Sequence, residues 1–472
     1  MNAALQELLI LRNREDVPSV EIIGSDPVYS TRFKVADTGA AILAATGVAI
    51  SDIWEMKTGR PQKISVDARH AAMALNSVAH LMLRAPDGAY KVYGDSPLAQ
   101  MAYETIRAYP TKDGRWFMPH FGMKGLKEKV LGILDCEQTQ ESIAEAVAKW
   151  DAEDIDQAVA DANACGGIVR TEEEWRRHPH GKLLAGQTVV EIEKIGESDP
   201  EPFPQGGPAL EGVRVLDLTR ILAGPVAART MAEHGADVLM VGAHHVPQIK
   251  KFVLELSHGK RSCFLDLNTT EEAARLKELV RGADVFSQGY RPGVLEARGF
   301  GPEELAQERP GLIYTSINCY GEGGPFSNRG GWEQIAQTVT GISHEIGQEN
   351  GNPPELLPIY FCDYSTGYLG AYGTLLALAR RAVEGGSYHV KVSLCRSAMF
   401  LQDQGRIDYP REGMGISDEE ARPLQMDSET TYGQVRHLGP VIRFSESAPG
   451  WGWPSPALGT DKAEWRSRKL AG

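Results

Sequence analysis

From residue 213 onward, apolar residues come in short runs separated by stretches with helical spacing. Val213-Arg214-Val215-Leu216-Asp217-Leu218, Ala236-Asp237-Val238-Leu239-Met240-Val241, Cys263-Phe264-Leu265-Asp266-Leu267, Val285-Phe286-Ser287 and Leu312-Ile313-Tyr314-Thr315-Ser316-Ile317 each have the length and content of a buried strand. Pro225 stands at the favoured first position of a helix running to about His234, and Gly235 closes it. Thr269 or Thr270, with the glutamates that follow, caps a helix ending near Val280. This alternation predicts an α/β fold with a doubly wound parallel sheet and a ligand site beyond the carboxyl ends of the strands. The first strand-to-helix turn reads Thr219-Arg220-Ile221-Leu222-Ala223-Gly224-Pro225, which is neither GxGxxG nor a Walker pattern. That argues against a nicotinamide or nucleoside triphosphate site, while a helix N-terminus still offers N–H groups to a phosphate.

The N-terminal part has a different rhythm. A small-residue helix from Asp37 to about Trp54 is followed by a Thr58-Gly59-Arg60-Pro61 turn, an alternating strand over Ile64-Ser65-Val66-Asp67-Ala68 and a helix from about His70 to Leu83. The layout recurs near residue 363, where a short apolar strand over Leu357-Pro358-Ile359-Tyr360-Phe361 leads Asp363 into a second small-residue helix. A gapless shift of 326 pairs Asp37 with Asp363, Gly47 with Gly373, Gly59 with Gly385 and Val66 with Val392. A duplicated helix–strand–helix unit is the expectation.

Residues 90–190 read as a second, mostly helical small domain, opened by an Asp113-Gly114 turn beside a strand ending at Met118. Amphipathic helices are expected near 126–134, 142–150 and 155–164. Trp175 and the run Arg176-Arg177-His178-Pro179-His180 read as a solvated helix end. Residues 197–212 carry four prolines and three glycines, a stiff linker that divides the chain into 1–196 and 213–472.

Composition adds bounds. The chain has 472 residues, too many for one compact core. Its net charge of -14 argues against general nucleic-acid binding. The six scattered cysteines form no CxxC pair, which fits a reducing compartment and speaks against a zinc site. The first eleven residues form an amphipathic helix without a basic leader, and no apolar run is read as reaching the roughly 20 residues of a membrane span. A cytoplasmic protein with no membrane contact is expected.

Asp363 has two readings. An aspartate at a helix start caps free N–H groups. It can equally be a carboxylate nucleophile held against a thioester. The surrounding segments favour the second, because together they resemble the class III CoA-transferases. The resemblance is carried by Val213–Thr219 with Ala223-Gly224-Pro225, Gly235-Ala236-Asp237-Val238, Gly259-Lys260-Arg261-Ser262, Ala283-Asp284-Val285, Tyr290-Arg291-Pro292-Gly293-Val294-Leu295, Pro310–Tyr314, Tyr320–Pro325 and the Asp363 unit, in that order.

The resemblance implies a Rossmann-like CoA-binding domain and a homodimer. It also implies an acyl-CoA:carboxylate CoA-transferase that works through an acyl–aspartyl anhydride and an aspartyl–CoA thioester on Asp363. CoA would enter as a substrate thioester, with a carboxylic acid as acceptor and no resident cofactor or metal. Backbone around Ile221 and Leu222 would contact CoA, and Lys260, Tyr290, Arg291 and Arg298 lie in segments lining its groove. Gly321, Gly323 and Gly324 would let backbone N–H groups approach the oxyanion. The chain departs from the family at Ala243, where a phosphate-binding Arg is absent, and at Gly289 in place of Asn. Asp37 lacks a nucleotide-binding partner and is expected to be structural. Two other functions compete. A 2-methylacyl-CoA racemase would need an acid–base pair, but the place of its histidine reads Gly331-Trp332-Glu333. A non-catalytic CoA-ester-binding protein would need only the groove.

Overall fold

A computed structural model describes residues 2–467 apart from 15, 17, 95, 96, 411 and 412. The elements that frame the site are, in chain order, β1 (Val20–Ile23), α1 (Val35–Thr58), β2 (Ile64–Asp67), α2 (Ala68–Ala74), α3 (Lys124–Leu134), β3 (Glu191–Gly196), β4 (Arg214–Leu218), α4 (Ala223–Glu233), β5 (Asp237–Gly242), β6 (Lys260–Phe264), β7 (Val285–Gln288), β8 (Ile313–Asn318), α5 (Glu333–Thr340), α6 (Phe361–Glu384), β9 (Ser387–Ser393), α7 (Leu394–Asp403) and β10 (Arg443–Phe444).

The main sheet has seven strands in the order β6-β5-β4-β7-β8-β9-β3. Six are parallel, and β3 closes one edge antiparallel to β9. The expected doubly wound sheet is therefore present. Its strand order reverses between β4 and β7, so the crevice beyond Leu218 and Gln288 is where such a sheet receives a ligand.

The 197–212 linker is irregular, as its prolines require, but it does not separate two independent bodies. Strand β3, from the first half, completes the sheet of the second. Strand β10, near the C-terminus, pairs with β2 of the first. The linker itself is tied down by a bidentate Glu201–Arg309 pair and by burial of Leu210.

Helix α6 is buried from Phe361 to Leu378 and packs against α1 and α4. Close approach to α4 depends on Gly367, where a Cβ would lie 2.4 Å from the Ala223 carbonyl oxygen. Adding 326 to the bounds of α1 gives those of α6, and adding it to the first residue of α2 gives that of α7. The neighbours repeat as well. β1 runs parallel and β10 antiparallel to β2, as β8 and β3 do to β9. By length and apolarity α1 resembles a membrane span, contrary to the reading of the sequence, but 89% of its most apolar window is buried inside the protein.

Several local expectations are corrected. Residues 357–360 form no strand, and the Leu357 N–H goes to the Gln337 side chain instead of to a neighbouring strand. The expected helix to Leu83 stops at Ala74. A 3-10 turn over Ser77–His80 follows, with the Val78 N–H donating to the Tyr364 hydroxyl, and then a strand over Met82–Arg84. The third strand of the doubly wound half starts at Lys260 rather than Cys263. Trp175 and His180 are fully buried, not solvated, because His180 packs between Tyr320 and Phe326 and bonds the Tyr320 carbonyl at 2.7 Å.

Candidate active site

Asp363 is the third residue of α6, so its N–H is one of the helix's free donors. The cap comes from elsewhere. Tyr360, at the cap position, makes no side-chain cap bond, and the carboxylate of Glu333 takes its place. Glu333 Oε1 accepts from the Cys362 N–H at 3.1 Å and Oε2 from the Asp363 N–H at 2.5 Å. Gln337, one turn along α5, donates to Glu333 Oε1 at 2.6 Å and fixes its rotamer. The capping reading of Asp363 is thereby replaced: the helix end is satisfied by Glu333, and the Asp363 side chain is left for other work.

That side chain is 7% exposed and lines a cavity of about 540 Å³. The cavity lies at the switch point of the sheet. One wall is the β4–α4 turn with Thr219, Ile221 and Ala223, and another is Gly289, Tyr290 and Arg291 after β7. The facing wall belongs to the small domain, with Met123 beside α3 and Leu126 and Lys129 on it. The small domain is fastened across the opening by the Arg329–Asp156 ion pair and by His120 stacked on Trp332 with centroids 4.9 Å apart. The site is therefore built from both halves of the chain.

Electrostatics single out the two acids. Burial pushes the Asp363 carboxyl well above the usual carboxylate range, the Glu333 charge pushes it further, and the Ala223 N–H at the start of α4 pulls it back. Glu333 is 2% exposed and is pushed up to about 7 by burial, against the pull of the Gln337, Asp363 and Cys362 donors. Two neighbouring carboxyls of this kind titrate as a pair. Ionised Asp363 is a poorly solvated anion with one backbone donor beside it, which suits a nucleophile.

The turn facing Asp363 is held against its own preference. Ile221 has φ 75°, a left-handed conformation that a β-branched side chain resists. A buried network holds it there. Asp217 Oδ1 accepts from the Thr219 N–H at 3.0 Å and from the Thr219 hydroxyl at 2.5 Å. Lys260 Nζ bonds Asp217 Oδ2 at 2.8 Å and the Pro225 carbonyl at 3.0 Å, joining the end of β4 to the first turn of α4.

The residues expected from the sequence are thus distributed unevenly. Asp363, Ile221, Tyr290 and Arg291 lie on the cavity. Leu222 is 2% exposed and packs in the core. Lys260 is buried beneath the turn. Arg298 sits at the surface on the Leu267 carbonyl and Asn268 side chain. The glycines at 321, 323 and 324 pack on His180, Leu183 and Leu184; those that line the cavity are Gly125, Gly224, Gly289, Gly330 and Gly331. Sequence reasoning passed over Glu333 because it sought a histidine there, although a Glu with Gln four residues later is the signal of a fixed carboxylate. It had no signal for the small-domain wall.

Asp37 occupies the same third position in α1. Its N–H donates to Asp26 Oδ2 at 2.8 Å, and its Oδ1 accepts from the Asp26 N–H at 3.2 Å. Burial pushes the Asp26 carboxyl up to about 6.

Comparison with known proteins places the chain in a family. The family model described as CoA-transferase family III matches residues 19–205 and 210–432. The chain is 31% identical over 412 residues to the acetyl-coenzyme A transferase nodX of Hypoxylon pulicicidum, covering 78% of this chain and 69% of that protein. It is 37% identical over 181 residues to the succinyl-CoA:glutarate CoA-transferase of Homo sapiens, covering 36% and 41%. The crystal structure of Rv3272 from M. tuberculosis, orthorhombic form, shares 31% identity over 42% of this chain and 57% of that one, with a TM-score of 0.40. With both halves matched by one family, on either side of a cavity that holds a buried carboxylate, the chain belongs to CoA-transferase family III and is an acyl-CoA transferase of that class.

Proposed function

We propose that Asp363 carries the CoA between an acyl-CoA and a free carboxylic acid. An Asp363 oxygen attacks the thioester carbonyl, the C–S bond breaks, and CoA thiolate leaves an acyl–aspartyl anhydride. The thiolate then attacks the Asp363 carbonyl carbon, releasing the donor acid and leaving an aspartyl–CoA thioester. The acceptor carboxylate attacks that thioester and displaces the thiolate. The thiolate takes the acceptor's acyl carbon, and Asp363 is regenerated. Each attack develops an oxyanion, and the Ala223 N–H beside the Asp363 carboxyl is a fixed donor it can use. Glu333 is a positioning residue: it holds the first turn of α6, and so the direction of Asp363.

The observation that carries this reading is the place of Asp363, a buried carboxylate whose helix end is already capped, at the crevice of a doubly wound sheet. Exchange between a panel of acyl-CoAs and carboxylic acids, followed by mass spectrometry, tests it. Wild type is expected to form new acyl-CoAs and Asp363→Ala none. Equal exchange by a folded Asp363→Ala protein would refute the assignment. The in-phase repeat of α1 and α6 supports a tandem duplication, with the first copy keeping the small domain and the second the CoA-binding sheet. A homodimer and a cytoplasmic location are proposed with it; light scattering reads the first as twice the chain's 51.5 kDa.

A further inference from the structure

The residues at the mouth of the Asp363 cavity are unusual for so acidic a chain. The protein carries 63 acidic against 49 basic side chains, yet the cavity is lined by four cations, Lys129, Arg220, Arg291 and Arg329, and by a single carboxylate, Asp363. Arg329 is neutralised by Asp156. Among the described residues the other three make no ion pair and are held by neutral groups. Lys129 Nζ reaches the Asn163 carbonyl at 3.5 Å. Arg291 Nη1 bonds the Asn163 side-chain oxygen at 2.8 Å and the Asn328 carbonyl at 3.3 Å. Arg220 Nη1 bonds the Pro247 carbonyl at 3.2 Å. One residue, Asn163, thus draws a lysine of the first half and an arginine of the second to the same place, with no anion from the protein between them. Like charges gathered this way repel unless an anion joins them.

The rest of the lining is different. Ile221, Val294, Ile317 and Leu126 add apolar surface to the lining that the cations and Asp363 share. A ligand with a charged phosphate end, a long weakly polar arm and a reactive carbonyl has a partner for each of its parts in this one lining.

We propose that the phosphate groups of the CoA ester are bound across the two halves of the chain, by Lys129 on α3 together with Arg220 and Arg291. The inference rests on the proposed function and adds to it. It makes the small domain a ligand-binding wall, and it assigns Lys129 and Arg220 as specificity residues for CoA over unphosphorylated thiols. Lys129, on an exposed helix face, is a safe position to change without disturbing the fold.

Calorimetry of the full chain with CoA, dephospho-CoA and pantetheine tests it. Lys129→Ala and Arg220→Ala are each expected to weaken CoA roughly tenfold, the scale of one lost charged hydrogen bond, and to leave pantetheine unchanged. The loss should shrink at high salt. If dephospho-CoA shows the same loss as CoA, the cations hold the pyrophosphate; if the loss disappears, they hold the 3′-phosphate. Lys124→Ala, on the same helix but off the cavity, is the control and should bind CoA as wild type does. Wild-type CoA affinity in Lys129→Ala, or equal losses for CoA and pantetheine, would overturn the inference alone. No CoA binding by wild type would overturn the function on which it rests as well.

Discussion

The molecule carries the same device twice and sets it in two different surroundings. In both α1 and α6 an aspartate occupies the third helical position, and its N–H is held by a carboxylate from a separate segment, Asp26 for Asp37 and Glu333 for Asp363. Around Asp363 a strained turn, a doubly wound sheet and a small domain close over a cavity. Around Asp37 the sheet has only three strands, β1-β2-β10, and the carboxylate faces Asp26. The helix start is therefore a way of aiming a carboxylate, and what it is aimed at decides whether chemistry follows.

The sharpest way to break the comparison is to remove each aspartate in turn. Asp363→Ala is expected to lower CoA exchange by more than about a thousandfold, as removal of a covalent nucleophile does. Asp37→Ala should change it by less than about twofold. A comparable loss from both would mean that the first unit takes part in catalysis.

The second contrast concerns the turn that only the Asp363 unit faces. Lys260→Met leaves Asp217 as a buried unpaired charge, with an expected cost of about 3–5 kcal/mol, measured by urea unfolding. A change below about 1 kcal/mol would show that the network does not hold the turn.

The two capping acids differ in a way pH can read. Glu333→Gln removes an acceptor for the helix N–H groups and should lower kcat roughly ten- to a hundredfold through misplacement of Asp363. It also removes the like charge that raises the Asp363 pKa. A nucleophile must be ionised, so exchange falls on the acid side, and that limb should move to lower pH in Glu333→Gln. An unmoved limb would separate the two carboxyls.

The smallest effect is expected at Asp26, whose folded-state carboxyl is raised to about 6. The folded state then holds a proton that the unfolded chain releases earlier. Wild-type stability should fall as pH rises from about 4 to 6 and level off above. Asp26→Asn should flatten that slope, with CoA exchange untouched.

Much of this was legible in the sequence because periodicity and punctuation are local. The strand–helix alternation after residue 213, Gly235 after the first helix and Thr269 before the helix over Thr270–Arg281 all fall where the structure has them, within a few residues, while the helix over Lys250–Leu256 between them was not foreseen. The 326-residue phase between the two helices was equally visible. What could not be read was tertiary. Lys260 looked like a cation available to a ligand, and only the fold shows it buried on Asp217. Trp175 looked solvated because arginines follow it, while its ring is enclosed by His178, His180 and Phe326. Glu333 acts through a partner 30 residues away, a distance that no local pattern spans.

The most direct test is to catch the covalent intermediate. The protein is incubated with each acyl-CoA it turns over, quenched with hydroxylamine and digested, and the peptides are mapped by mass spectrometry. A hydroxamate at Asp363 is expected, absent from Asp363→Ala and absent at Asp37. Turnover with Asp363 unmodified, or a label at Asp37 instead, would contradict the central claim.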